Sequence, residues 1–419
     1  MLQRIQNKME EIMKIAFVNT VCYGSTGRLI HDIQKECQIE NNETITFFGR
    51  GNGYVDLPCK KISNIFDFVF HATLATIFGT NGHYSIICTK MFINELKKFN
   101  PDVIHINNIH GFYLNYKLFF NYLKNEFKGK IVWTLHDCWA ITGHCASFSQ
   151  INCTKWKNNC KKCPNLKTYP PTFFDRSQEE YKYKKSLFSN INNLTLVLPS
   201  DWLFNILEYS YLKQYDRCVI NNYIDFNTFK IKNKNKIMNK KFTEIQGKKI
   251  YLAVANIWTE LKGINIINEM AKHLFENEIV LVIGKISPRY TINNSDKIKY
   301  INHTDSVQEL VDLYNISDVL INPSASESFS MVTLESIACG TPVIVYNNSA
   351  VKDLVINANV GTIIDYSLNK NYNSFLNAAR KINNRIEENI INIYKEKYSN
   401  KNNIQKYINL FNKKGKNNE

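Results

Sequence analysis

Asn322-Pro-Ser-Ala-Ser-Glu-Ser-Phe-Ser-Met-Val-Thr-Leu-Glu-Ser-Ile-Ala-Cys-Gly-Thr-Pro-Val343 reads as a strand end, a Ser-rich turn, a helix stopped by Gly340 and the start of another strand. Glu327 falls in the turn and Glu335 in the helix, with seven residues between them. The N–H groups that open a helix have no intrahelical partners and sit at the positive end of its dipole, so they attract anions. Two carboxylates beside such an anion site suit a ligand that carries both phosphates and hydroxyls.

Outward from this stretch, short apolar runs alternate with helical patterns along both halves of the chain. Runs 14–19, 102–106, 130–135 and 194–198 read as buried strands of one sheet. Runs 249–255, 278–283, 297–301, 318–321 and 342–346 read as strands of another, with a helix expected over 265–275. Alternation of this kind predicts an α/β chain of two Rossmann-like, doubly wound domains facing a cleft. At 419 residues the chain is long enough for two cores. The expected division is 1–222 with a Cys-rich insertion at 138–164, then 223–388, then a helical segment at 389–419 that crosses back to the first domain. Lys230 to Lys241, rich in Lys and Asn, reads as a solvated linker.

The 52 basic residues outnumber the 37 acidic ones, for a net charge of +15. Excess charge of this size suits nucleic acid, an anionic membrane or a phosphorylated ligand. Because the lysines cluster with asparagines in segments that read as linker and tail, charge alone selects none of these. The first fourteen residues form a mixed, amphipathic start without a long apolar run, so no secretory signal is expected, and Met13 could be the true start. The run from Ile65 to Gly79 is too short to span a membrane and carries Asp67. It is expected as a buried helix, with an interfacial helix as the alternative. A soluble, cytoplasmic protein follows, with peripheral contact at the inner face of the membrane as an option.

Glu327, Phe329, Glu335, Ala338, Gly340, Thr341, Pro342 and Val343 together resemble the donor-binding signature of the retaining glycosyltransferases of family 4, which have the GT-B fold. The resemblance extends from Gly24 to Gly361. It implies transfer of a sugar from a nucleotide-sugar donor (UDP- or GDP-linked) to a glycan or polyprenyl-linked acceptor, with no nucleic-acid partner and no cofactor required for catalysis. It also implies that Glu335 binds the donor ribose and that Glu327 binds sugar hydroxyls near the reaction centre. Lys262 would contact the diphosphate, and the backbone of Phe329, Ser330, Met331 and Val332 would hold sugar and phosphate. The turn containing Gly24 and Gly27 matches the family's glycine-rich loop, and His136 in Thr-Leu-His-Asp matches a histidine near the reacting sugar. His110 is a second candidate for seating the acceptor. The chain departs from the family at Ile257, where an arginine usually stands five residues before the lysine; Arg289 is the candidate replacement.

Cys145, Cys153, Cys160 and Cys163 lie close together, and Cys160-x-x-Cys163 has the spacing of half a zinc site. Structural Zn²⁺, unligated buried thiols and a redox role are the three readings, with Cys138 and His144 as nearby spares. The surrounding Trp133 to Trp139 and Thr142 to Cys145 segments are similar to a subgroup tied to bacterial capsule, O-antigen or colanic-acid-type polysaccharide assembly. Two rival functions are an inactive GT-B partner subunit and a zinc-containing, basic nucleic-acid-binding protein.

Overall fold

The computed structural model describes residues 12–293, 295–367 and 372–413. The expected amphipathic start before residue 12 lies outside them. Seven parallel strands build the first sheet: β1 (Lys14–Asn19), β2 (Glu43–Phe48), β3 (Cys59–Lys61), β4 (Val103–Ile106), β5 (Lys130–Thr134), β6 (Leu194–Leu198) and β7 (Asp216–Val219), in the order β3-β2-β1-β4-β5-β6-β7. The second sheet holds β8 (Lys249–Trp258), β9 (Glu278–Ile286), β10 (Ile298–Ile301), β11 (Val319–Asn322), β12 (Val343–Tyr346) and β13 (Gly361–Ile364). Its order is β10-β9-β8-β11-β12-β13, again parallel.

Both sheets are doubly wound, and the side-chain alternation of their central strands shows why. Ala16 and Val18 of β1 face one apolar cluster while Ile15 and Phe17 face another. In β8, Ile250 and Leu252 point to one side and Tyr251 and Ala253 to the other. With both faces buried, these strands read as continuous apolar runs rather than alternating ones. Strand order reverses between β1 and β4 in one sheet and between β8 and β11 in the other. Crevices open beyond the carboxyl ends of strands at such switch points. The segments after those four strands carry Gly24, His110, Lys262 and Glu327, while His136 follows β5.

Two expectations are corrected. The Lys/Asn-rich stretch is no solvated linker: Lys234–Lys241 is a helix with Met238 buried. Lys232 and Lys241 both reach Asp312, at 2.9 and 2.7 Å, and Lys234 reaches Asp318 at 2.6 Å. Carboxylates on the neighbouring helix and just before β11 thus convert a charged run into a packed element. The helix Ile65–Phe78 is not buried either. Its His71 and Ala75 face inward, but Phe66, Val69 and Phe70 face solvent, Phe66 with 83% of its surface exposed. No described helix is long and apolar enough to cross a membrane.

The chain leaves the first sheet near Ile220 and returns at its end. Helix Glu388–Tyr398 places Ile390, Ile391, Tyr394 and Tyr398 in the core of the second domain. Helix Asn400–Asn412 then places Ile404, Tyr407, Ile408 and Phe411 in the core of the first. The crossing is fixed by hydrogen bonds from Ile224 N–H to the Tyr398 carbonyl (3.2 Å) and from Asn400 N–H to the Ile224 carbonyl (3.2 Å). Phe411 packs edge-on against Phe17 and tilted against His105. Phe411→Ala should therefore destabilise the first domain by about 3–5 kcal/mol, read as a drop in its thermal midpoint; an unchanged midpoint would show that the last helix is not part of that core.

Candidate active site

A cleft of about 510 Å³ runs between the domains, lined by Gly24, Ser25 and Arg28 on one side and by residues of the β8, β9 and β11 loops on the other. On the first-domain side, β1 ends and helix Gly24–Ile39 begins at Gly24, whose φ of +72° is a left-handed conformation that costs glycine little. The residue before it, Tyr23, makes no capping side-chain bond, so the helix start is open toward the cleft. Gly27 has a different task from Gly24. A Cβ there would lie 2.5 Å from the Cys22 backbone, so Gly27 lets the helix pack closely and does not line the cleft.

On the second-domain side, β8 shifts register against β9 between Val254 and Ile257, which turns Asn256 and Ile257 into the cleft. The turn that follows carries Lys262, and Gly263 (φ +83°) sits where a Cβ would strike Pro323 at 2.5 Å. That close approach, with Ala325 N–H donating to the Leu261 carbonyl at 2.8 Å, stitches the Lys262 turn to the loop holding Glu327. Lys262 Nζ meets Glu327 Oε1 at 2.6 Å. Ile257 stands in the cleft, 49% exposed, and Arg289 is not among the residues that line it. Arg28, four residues after Gly24 and not among the residues singled out from the sequence, and Lys285 do line it. Helical phase was the available signal for Arg28, since it lies one turn into a helix whose start faces the cleft.

Helix Met331–Ala338 opens at the cleft with Ser330 at φ +105°. The Ser330 hydroxyl does not cap the helix. It is held by Asn322 Nδ2 (3.0 Å) and lies 2.9 Å from the Thr333 hydroxyl, which Asn322 also contacts at 2.9 Å. Ser328, Phe329, Ser330, Met331 and Val332 consequently line the cleft together with an uncapped helix start. Glu335, one turn deeper, is only 6% exposed and accepts a hydrogen bond from Tyr314 OH at 2.9 Å. Burial pushes its carboxyl above the usual 4.5, opposed by the Tyr314 bond and by the Arg28 charge. Beneath the helix, Ser336 Oγ donates to the Thr341 carbonyl and Thr341 Oγ1 to the Tyr314 carbonyl. The Gly-Thr-Pro turn thus positions Tyr314, and through it Glu335.

His136 and His110 are brought together, but in a smaller hollow beyond the ends of β4 and β5, and neither lines the main cleft. His136 Nε2 lies 2.9 Å from Asn107 Oδ1, and burial lowers its pKa to about 4, so it is a neutral imidazole at pH 7. His110 Nε2 lies 2.8 Å from Asp137 Oδ2. Burial pushes the Asp137 carboxyl up, but His110 and the Trp139 N–H outweigh it and hold it below the usual range.

Folding raises the Glu335 pKa, so this group favours the folded state below its unfolded pKa, and that contribution is lost as pH rises through the folded value. Tyr314→Phe removes the donor that stabilises the carboxylate. The Glu335 midpoint, followed by carboxyl ¹³C NMR, should rise further above 4.5; an unchanged or lower midpoint would mean the hydroxyl does not govern this carboxyl.

Comparison with known proteins agrees with this geometry. The glycosyl transferases group 1 family matches residues 234–392. The putative colanic acid biosynthesis glycosyl transferase WcaC of Escherichia coli K12 is 30% identical over 267 residues, which covers 61% of this chain and 62% of that protein. The chain thus spans less than two thirds of that relative's length. A D-inositol 3-phosphate glycosyltransferase of Rhodococcus jostii is 46% identical over 56 residues, 13% of this chain and 12% of its own. Among solved structures, sucrose-phosphate synthase from Thermosynechococcus elongatus superposes with a TM-score of 0.72 at 14% identity, covering 95% of this chain and 98% of its own. Anabaena HepE in complex with UDP gives 0.66 at 14% identity, with coverage of 95% and 99%. The chain has the GT-B fold, and its residues 234–392 match the glycosyl transferases group 1 family.

Proposed function

We propose that the chain is a retaining glycosyltransferase of family 4 that moves a sugar from a UDP- or GDP-linked donor to a glycan or polyprenyl-linked acceptor in the assembly of a bacterial surface polysaccharide. One observation carries this reading: a single cleft is lined by two uncapped helix starts, by the cations Arg28, Lys262 and Lys285, and by the carboxylates Glu327 and Glu335. Helix starts and cations suit a diphosphate, and carboxylates suit hydroxyls. HepE, which shares the fold, is described with UDP, and WcaC is described in colanic acid biosynthesis.

In this reading Glu335 accepts the ribose hydroxyls and Glu327 a hydroxyl of the sugar. The bond from the anomeric carbon to the phosphate oxygen breaks, and its electron pair leaves with the diphosphate. Lys262 and the start of helix Met331–Ala338 stabilise that developing charge, and Arg28 supplies the second cation where the family arginine is replaced by Ile257. The acceptor hydroxyl attacks the same face and passes its proton to the departing phosphate oxygen, which retains the configuration. Neutral His136, held by Asn107, orients the acceptor as a hydrogen-bonding group.

The acceptor's lipid part would lie at a membrane. Phe66, Val69 and Phe70 are exposed, as are Ile86, Ile87 and Met91 of the next helix, whose N-cap Ser85 is tied to Asp67 at 2.7 Å, and in this reading they form one apolar face. Phe173 is also exposed, and its N–H bonds to the Thr76 carbonyl at the end of the first helix. Exposed Lys90 and Arg176 flank this face, so an anionic lipid surface is the occupant that its chemistry fits.

A mass-spectrometric screen of nucleotide-sugar donors tests the activity, and no turnover with any donor would leave the inactive-partner reading. With the active donor, Lys262→Ala should lower kcat about a hundredfold; a near-normal kcat would remove Lys262 from leaving-group stabilisation. Phe66→Ser with Phe70→Ser should abolish co-sedimentation with phosphatidylglycerol vesicles and spare donor binding, and retained sedimentation would refute the membrane face.

A further inference from the structure

The segment 138–164 follows β5 and contains, among the described residues, no regular structure beyond short 3-10 turns at Trp139–Ile141, Ser149–Ile151 and Lys155–Lys157. It nevertheless holds the two domains in contact. Tyr366 OH donates to the Gln150 carbonyl at 2.7 Å, Ser149 Oγ to the Ala325 carbonyl at 3.3 Å, and Asn348 Nδ2 to the Ser149 carbonyl at 3.4 Å. Ala325 stands two residues before Glu327. The loop is held internally by turn hydrogen bonds, such as Cys153 N–H to the Phe148 carbonyl (3.2 Å) and Thr142 Oγ1 to the Cys145 carbonyl (2.6 Å), rather than by helices or strands.

Cys145, Cys153, Cys160, Cys163 and His144 all line one cavity of about 20 Å³ within this segment, and all four thiols are free. His144 is 8% exposed, and its Nε2 has no hydrogen-bond partner. An unpaired buried ring nitrogen is costly unless something binds it. The other side of the ring faces the Leu166 and Thr168 backbone, the arrangement that leaves Nε2 as a lone-pair donor. Gly143 N–H already donates to Cys160 Sγ at 3.2 Å, as backbone amides do toward thiolates. Lys184, 1% exposed, lies among the same sulfurs with its ammonium on the Trp139 carbonyl at 2.8 Å. Glu180 and Asp137 already face this buried cation, and a zinc ion with three or four thiolates would add a further negative charge beside it.

We infer that this cavity is a structural zinc site, with Cys153, Cys160 and Cys163 as ligands and the fourth position taken from the adjacent pair His144–Cys145. Each thiol that binds gives up its proton to solvent. Among the described residues no three such groups already converge as a metal centre, so the ion draws the side chains inward by rotation about their Cα–Cβ bonds. Gathered in this way, they fix Ser149 and Gln150 against the donor-side loop.

Elemental analysis of the whole chain, purified without added metal, tests this independently of catalysis. The expected result is about one zinc per chain, with sulfur ligands near about 2.3 Å in the X-ray absorption spectrum. The double variant Cys160→Ser with Cys163→Ser should fall to background zinc. A folded, donor-binding wild-type protein without zinc would overturn the inference, as would a zinc shell of oxygen and nitrogen alone. The wild-type count decides even if the double variant fails to fold.

Discussion

The Asn322 side chain, at the last position of β11, holds two hydroxyls that would otherwise turn toward the helix after it. Ser and Thr at a helix start ordinarily bond its free N–H groups. Here Asn322 and Thr333 engage Ser330 sideways, and the backbone at Ser330 takes a positive φ to allow it. The helix therefore meets the cleft uncapped, and a ligand can take the place of a cap. Backbone strain held by its surroundings is a recurrent feature of binding sites. Everything else on the second-domain side is arranged around that helix: Lys262 and Glu327 before it, Glu335 within it and the Thr341 turn beneath it.

Burial sets different electrostatic tasks for the two carboxylates. Glu335 is enclosed, bonded to Tyr314 and, among the described residues, without an ion-pair partner, and burial shifts its carboxyl upward. Glu327 is paired at close range with Lys262. A carboxylate already neutralised by a lysine is poised to share that lysine with an incoming phosphate. One that is desolvated and bonded to a single hydroxyl can accept further hydroxyls.

Most of the fold was legible because parallel strands buried on both faces are continuous apolar runs, as in Val319–Asn322 and Val343–Tyr346. β2, β3, β7 and β13 were not read: Cys59–Lys61, Asp216–Val219 and Gly361–Ile364 are short strands at sheet edges, and Glu43–Phe48 opens with a Glu-Thr-Ile-Thr alternation in place of a continuous apolar run. The helix at Lys234–Lys241 was hidden for a related reason: its stability comes from Asp312 and Asp318, some 80 residues away in sequence. At the site, Glu327 and Glu335 stood out by their spacing across a turn and a helix, whereas Lys262 was picked out by the family resemblance. Arg28 was not singled out, because its meaning depends on a domain closing over it from elsewhere in the chain. The exposure of Phe66 and Phe70 was also illegible, since an apolar helix shows its composition in the sequence but not which side lacks a neighbour.

The two passes of chain between the domains, at Ile224 and at Ser399, run side by side and are hydrogen-bonded to each other. A single connecting strand would let one domain swivel freely about the other. Two bonded strands resist twisting, and bending across their common line is the soft direction. Opening and closing of the cleft is thereby reduced to something like a door on a two-pin hinge.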